Sequence, residues 1–310
     1  MEYTWRPLRA GDAPSWSELT KAMSAADGTD EEFSAEDLAE ELEDPSCDVE
    51  RDTIAVVTPD GIVAAFGQVH QPVQRLDGGI RARFIGGVHP AHRRRGIGTE
   101  LLHRVERRIG ELGRSRFPGG QVRPMTGTVP AFGPFLERRG YAVARWFHSM
   151  ARSLDDSPAA PADPRIRLYD PALDEQVRLA HVDAFAGHWD FAPPTPQRWR
   201  FWCTGARAFR AGCSPIAVAD DGSVDGYVLG YSYVPGEIYF GQIGVRERAR
   251  GGGLGSALVQ DALALAAGAG YTVAKLDVDS ANASGAGRLY ENAGFEAYLN
   301  TAAYQRIEPA

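Results

Sequence analysis

Cysteine is scarce in this chain. Cys47, Cys203 and Cys213 are odd in number and far apart, which argues against a disulfide framework or a clustered zinc site and for unpaired thiols in a reducing compartment. No apolar run reaches the length of about 20 residues that spans a bilayer, and Met1-Glu2-Tyr3-Thr4-Trp5-Arg6 lacks the basic-then-apolar order of a secretory leader. A cytoplasmic protein with no membrane partner is expected. Basic residues are also in deficit, 33 against 41 acids for a net charge of −8, and they do not gather among aromatics. Nucleic acid is therefore not expected as a partner, whereas an acidic protein suits a cationic amine. His89 and His92 have no cysteine or carboxylate at metal spacing, so no metal is expected.

What the chain does have is glycine at one place. An extended segment runs from Glu237 to Ile243-Gly244-Val245, a short basic turn follows, and Arg250-Gly251-Gly252-Gly253-Leu254-Gly255-Ser256 opens a run with apolar residues at Leu254, Leu258, Leu263 and Leu265. The order is strand, glycine-rich turn, helix. Four glycines in five positions permit positive φ and leave no Cβ in front of the amides. The first amides of a helix lack intrahelical partners and carry the positive end of its dipole, so the turn suits a diphosphate. A nucleoside-triphosphate loop would need Gly-Lys-Ser/Thr and a dinucleotide loop an acidic ribose reader, and neither is present. The alternative is a glycine-rich helix entry with no ligand.

A second stretch runs from Leu276-Asp277-Val278-Asp279 through Asn282 and Ser284 to Leu289-Tyr290-Glu291-Asn292-Ala293-Gly294-Phe295, and reads as strand, turn, short helix and glycine stop. Arg250-x-x-Gly253-x-Gly255 and this second stretch together resemble the two coenzyme motifs of the GNAT N-acetyltransferase superfamily. The resemblance implies an α/β (α+β) fold, a mixed, mostly antiparallel twisted sheet flanked by helices with a splayed central strand pair. It implies acetyl-CoA as cofactor, held by Ile243, Gly244, Val245, Arg250, Gly251, Gly252, Gly253, Leu254, Gly255 and Ser256, with Asn282 on the pantetheine arm and Ser284 nearby. It also implies Tyr290 as the acid that protonates the leaving thiolate.

The pattern occurs twice. Phe84 to Leu102 repeats strand, turn and helix with Arg93, Gly96 and Gly98 at the same spacing, Arg6-Pro7-Leu8 answers Arg167-Leu168-Tyr169, and Arg139-Gly140-Tyr141 answers Ala293-Gly294-Phe295. Two tandem GNAT-like domains are expected, residues 1–154 and 165–310, joined by a Pro/Ala linker at 155–164. In the first copy Leu136 stands where the second has Tyr290, no Asn fills the cofactor position, and two prolines keep a helix from beginning before Pro134. The N-terminal copy is thus read as catalytically degenerate. Its loop, with Val88, Arg93, Gly96 and Gly98, is either a second coenzyme site or a structural leftover. From Asp30 to Asp44 nine acids and no base read as a solvated acidic helix packed on one side.

Acetyl transfer to an amine sets the remaining demands. An alkylamine with a pKa of about 10.4 must lose a proton before it attacks, the reactants must be held close, and the developing oxyanion needs a donor, most simply a backbone amide near Ile243 or Val245. Glu237 is the best base candidate; in a regular strand it shares a face with Tyr239 and Gly241, with Gln242 opposite. His188, Trp189, Asp190 and Phe191 follow the first helix of the second copy and are acceptor-side candidates together with Tyr239; core packing is the other reading of the aromatics. The tandem plan also resembles the mycothiol synthase family in Ala184-Phe185-Ala186-Gly187-His188, Gly236-Glu237 and Asn300-Thr301-Ala302, although Glu237 stands two residues further from Ile243-Gly244-Val245 than in that family. A small primary amine is the expected partner: an amino sugar, a cysteinyl thiol precursor or an antibiotic. Direct transfer without an acyl-enzyme, as monomer or homodimer, is expected. The rival is a non-catalytic acyl-CoA-binding module.

Overall fold

The computed structural model describes residues 2–70, 74–76, 78–156, 163–189, 191–281 and 285–306. It divides into two compact units, Met1–Trp146 with Asn300–Ala310, and Phe147–Leu299.

Unit 1 contains β1 (Thr4–Arg6), α1 (Ala13–Asp27), α2 (Ala35–Glu41), α3 (Val49–Asp52), β2 (Thr53–Val57), β3 (Val63–Val69), β4 (Gln74–Leu76), β5 (Gly79–Val88), α4 (Ile97–Arg116), β6 (Gln121–Thr128) and α5 (Gly133–Glu137). The strand β7 (Ala142–Ser153) leads into unit 2, followed by β8 (Ile166–Leu168), α6 (Asp174–Phe185), α7 (Pro196–Trp199), β9 (Pro215–Val218), β10 (Val224–Tyr231), β11 (Glu237–Val245), α8 (Leu254–Gly268), β12 (Val273–Asp279), α9 (Ala286–Asn292) and β13 (Glu296–Gln305). No helix among the described residues is long and apolar enough to cross a membrane.

The strands within each unit pair antiparallel but for one parallel pair each, β5 with β6 and β11 with β12. In each case the pairing covers only the first residues of the two strands, Gly79–Arg83 with Gln121–Met125 and Glu237–Tyr239 with Val273–Lys275, and then the strands part. The splayed central pair expected from the sequence is present in both units.

The last strands do not follow the expected division at residues 155–164. Residues Phe147–Ser153 of β7 pair antiparallel with β12, and Met150 and Leu154 are buried in the unit 2 core. Reciprocally, Ala302–Gln305 of β13 pair with Met125–Thr128 of β6, and Ala302 and Tyr304 enter the unit 1 core. Each half of the chain therefore supplies the strand that finishes the other half's sheet.

Periodicity explains the helices that matter. Leu254, Leu258, Val259, Ala262, Leu263 and Ala266 form the buried stripe of α8, and Ile97, Leu101, Val105, Ile109 and Leu112 that of α4, each spaced to lie on one helical face. In β12 Ala274, Leu276 and Val278 are buried against α8 while Lys275 and Asp277 alternate to the other side. Two expectations need correction. The helix α5 begins at Gly133, one residue before Pro134, because a proline in the first turn removes an amide that has no helical partner anyway. The acidic run is not wholly solvated: Asp37 and Asp44 are buried, Asp37 in a capping box with Ser34 and Asp44 accepting from Ser46.

Candidate active site

In unit 2 the end of β11 passes through a short turn, Glu247–Ala249, and an extended Arg250 into α8. Gly251 has φ 83° and Gly253, the N-cap of α8, φ 80°, a region that costs other residues about 1 kcal/mol. Gly253 offers no side-chain cap and the first turn of α8 holds no acid, so the amides of Leu254, Gly255 and Ser256 have no intrahelical acceptor and lie at the positive end of the dipole. A Cβ at Gly251, Gly252 or Gly253 would meet nothing within 4 Å; the mouth is bare and open. This donor set fits a diphosphate. Arg250 braces the turn: its Nε donates to the Val245 carbonyl at 3.1 Å and its Nη2 to the Ala184 carbonyl at 2.9 Å.

The fork between β11 and β12 opens beside this mouth. Beyond Tyr239 and Lys275 the two strands no longer bond, which leaves the facing backbone groups of β11 available to an extended ligand arm. The register of β11 on β10 jumps from Leu229↔Gln242 to Gly230↔Phe240, so Gly241 is an extra residue, a bulge that bends the strand and re-aims the side chains beyond it. The bulge overturns the parity expected for Gln242. Opposite residues of an antiparallel pair share a face, and Gln242 pairs with Leu229, which packs with Tyr231 and Tyr239 on the α6 side. Gln242 therefore shares the face of Tyr239, while Ile243 and Val245 pack on the α8 side.

Three elements converge at the mouth. A Cβ on Gly255 of α8 would lie 3.2 Å from Leu289 Cδ1 of α9 and 3.6 Å from Val245 Cγ2 of β11. Tyr290 follows Leu289, is 8% exposed, packs edge-on against Phe295 at 6.2 Å, and its hydroxyl makes no hydrogen bond to another described residue. Burial pushes its pKa up to about 12. Asn282, Ser284 and Asp190 lie outside the described residues.

On the α6 side, Glu237 Oε2 is 2.6 Å from Lys275 Nζ at the closed end of the fork, and the Tyr239 hydroxyl donates to Asp277 Oδ2 at 2.9 Å across it. His188 packs on Phe185 at 4.6 Å, Phe191 on His181 at 5.4 Å, and Trp189 lies 6.4 Å from Phe147 of β7. The structure thus gathers His188 and Phe191 into one aromatic group around α6, sets Trp189 against Phe147 of β7 instead, and puts Tyr239 on the strand face that packs with α6. Sequence reasoning missed Lys275, Asp277 and the buried pair His181 and Tyr227. Only the alternation of β12 hinted at the first two, and no local pattern marks the others.

The equivalent place in unit 1 has the same backbone. Arg93 Nε donates to the Val88 carbonyl at 3.0 Å, Gly96 is the left-handed N-cap of α4 with φ 84°, and a Cβ on Gly98 would lie 3.6 Å from Val88 Cγ2 and 4.0 Å from Phe135 Cζ. Leu136 follows Phe135 and is buried in α5. The side chains differ. Both terminal nitrogens of Arg93 bind Asp27 at 2.6 Å, Arg94 takes φ 62° where unit 2 has Gly251, and Arg95 reaches Tyr3 at 3.2 Å. Among the described residues no group of three or more His, Cys, Asp or Glu could hold a metal ion.

The family model of the acetyltransferase (GNAT) family matches residues 16–117 and again 175–295. The chain belongs to the GNAT acetyltransferase family. This GNAT protein is 30% identical over 302 residues to a mycothiol acetyltransferase of Salinispora arenicola, an alignment covering 93% of this chain and 91% of that protein. Among solved structures it is similar to a GCN5-related N-acetyltransferase from Sphaerobacter thermophilus, with TM-score 0.76, 28% identity, and 98% and 95% of the two chains covered. A tandem GNAT protein from the clavulanic acid biosynthesis pathway shares the fold over the full length of both chains at TM-score 0.73 and 18% identity. The GNAT chain is accordingly an enzyme, an acyltransferase.

Proposed function

We propose that unit 2 transfers an acetyl group from acetyl-CoA to the primary amine of a small molecule, by direct attack with both substrates bound. The observation that carries this reading is the open, uncapped mouth of α8 beside the forked strands β11 and β12, with α9, the helix of Tyr290, packed against the same place through Leu289. Acetyl-CoA supplies an activated thioester. The amides of Leu254, Gly255 and Ser256 hold its diphosphate, and the unpaired edge of β11 from Gly241 to Val245 lines its arm, with the bulge offering an amide to the acyl oxygen. Asn282 and Ser284 are proposed contacts of the arm.

Tyr290 keeps its proton throughout the neutral range, since burial has moved it to about 12. An ordinary thiol titrates at about 8.5, so Tyr290 acts first as a hydrogen-bond donor to charge building on the sulfur. Glu237 is the proposed acceptor of the amine's proton: Lys275 occupies Oε2, and Oε1 has no partner among the described residues. Tyr239, His188, Trp189 and Phe191, with Asp190, form the acceptor side. Unit 1, with Leu136 in place of the phenol, is not a second catalytic centre. The similarity to the mycothiol acetyltransferase makes the cysteinyl amine of a mycothiol precursor the first acceptor to try, ahead of amino sugars and aminoglycosides.

Release of free coenzyme A thiol, followed with a thiol reagent over those three acceptor classes, tests the proposal. Turnover with at least one amine, reduced about 10²–10³-fold in Tyr290→Phe, is expected. Acetyl-CoA binding without turnover of any amine would favour the non-catalytic module.

A further inference from the structure

Three ties join one turn of α6 to the coenzyme side of unit 2. Asp183 Oδ1 accepts from the Glu247 amide at 3.2 Å, the Ala184 carbonyl accepts from Arg250 Nη2 at 2.9 Å, and His181 Nδ1 lies 2.7 Å from the Tyr227 hydroxyl. The first two are loop contacts near the surface. The third is interior, with Tyr227 0% and His181 7% exposed, and neither residue belongs to a coenzyme motif.

Tyr227 stands opposite Gly244 in the β10–β11 ladder, and its ring fills the space a side chain there would need. A Cβ on Gly244 would come within 2.6 Å of the Tyr227 hydroxyl oxygen and 2.8 Å of Cε1 and Cζ. The phenol therefore lies across β11 at the strand segment that borders the fork. Tyr290 is near enough that its phenol adds to the forces keeping Tyr227 protonated. His181 sits among Phe185 at 4.6 Å, Trp199 at 5.0 Å and Phe191 at 5.4 Å, where burial pulls its pKa down to about 4. The imidazole is neutral at working pH, and the Tyr227 hydroxyl has no other acceptor for its proton among the described residues, so Tyr227 donates and Nδ1 accepts, with the imidazole proton on Nε2. Filling this volume would need no polar atoms, and a Phe–Leu pair would avoid the cost of burying a hydroxyl and an imidazole. The hydrogen bond fixes where the ring lies, and through it the path of β11 at Gly244.

We propose that Tyr227 and His181 are a positioning pair that sets β11 at Gly244 for the coenzyme arm and carries occupancy of the fork to the acceptor-side aromatics of α6. The inference rests on the coenzyme reading above. Neither residue is assigned a chemical step.

The test is calorimetric titration of the full chain with coenzyme A, alongside ¹⁵N spectra of the imidazoles. Tyr227→Phe and His181→Leu are expected to weaken binding about tenfold, the worth of one well-made hydrogen bond. His181→Asn, whose Oδ1 can stand where Nδ1 was, is expected to stay within about twofold of the wild type. In the wild type the His181 resonances should report the Nε2–H tautomer and move when coenzyme A is added. A pair that only fills the core would lower thermal stability in all three variants, leave the affinity unchanged and leave the His181 resonances unmoved, and that result would overturn the proposal. Should Tyr227→Phe and His181→Leu not fold, the wild-type shift and His181→Asn decide by the same criteria. A wild type that produces no heat with coenzyme A refutes the coenzyme reading itself, which separates the two failures.

Discussion

The helix entries of units 1 and 2 follow one backbone path with different side chains upon it. Both place an arginine on the last carbonyl of the preceding strand, at 3.0 Å in unit 1 and 3.1 Å in unit 2, and both begin their helix at a left-handed glycine. The arginine of this motif thus braces the turn in each copy, and the two copies differ in the loop after it. In unit 2 that loop is bare glycine. In unit 1 it carries Arg94 and Arg95, and the strand beside it runs in unbroken register from Ala65↔Val88 to Val69↔Phe84 with no counterpart of the Gly241 bulge. One scaffold thus holds an open mouth with a re-aimed strand and a phenol in one copy, and a side-chain-lined mouth, a regular strand and a leucine in the other.

The largest effect expected of any test concerns folding. Because each half finishes the other's sheet, a fragment of residues 165–310 lacks the strand that pairs with Val273–Asp279 and loses Met150 and Leu154 from its core. It should show no cooperative melt by circular dichroism, whereas the intact chain should. A fragment that melts cooperatively would mean that the copies are independent after all. Next comes the chemical asymmetry: Tyr290→Phe should cost about 10²–10³ in kcat, while Leu136→Phe in unit 1 should leave kcat unchanged.

The units should also differ in how they answer pH. Burial lowers the folded pKa of His181 from 6.5 to about 4, so the unfolded chain binds the proton more readily. The stability this lends unit 2 is complete above about 6.5 and is lost as pH falls through 4, a span of about 3 kcal/mol. Glu41 in unit 1 behaves oppositely. Desolvation and Asp44 raise its folded pKa from 4.5 to about 7, so its contribution is complete below about 4.5 and is lost as pH rises through 7, again about 3 kcal/mol. Hydrogen exchange read separately over α6–β10 and α2–β3 between pH 4.5 and 6.5 should show protection rising with pH in unit 2 and falling in unit 1. His181→Asn and Glu41→Gln should each flatten one slope. The smallest effect expected is conformational: Arg94→Gly relieves a left-handed arginine and should stabilise unit 1 by about 1 kcal/mol, whereas Gly251→Ala in unit 2 should destabilise by a similar amount.

Much of this is legible in the sequence because it is local. The strand, turn and helix around Val245 and Val88 come from local spacing and glycine placement, the repeat from the recurrence of that pattern, and the splayed pair from the family resemblance those motifs carry. The features that escape a sequence reading depend on distant partners. No pattern in Ala142–Ser153 says which sheet it joins, since a strand's own residues fix its faces but not its neighbour. The bulge at Gly241 depends on the register against β10, so simple alternation puts Gln242 on the wrong face. Lys275 beside Glu237 and His181 beneath Tyr227 meet only once the sheet and helices are assembled.

The binding place of coenzyme A is the most direct test of an acetyl transfer centred on unit 2. A crystal of the full chain soaked with coenzyme A should show the diphosphate on the amides of Leu254, Gly255 and Ser256, the arm running along β11 through the fork, and the sulfur within hydrogen-bonding distance of the Tyr290 hydroxyl. A saturated crystal with no density at the mouth of α8, or with the sulfur directed away from Tyr290, would contradict it.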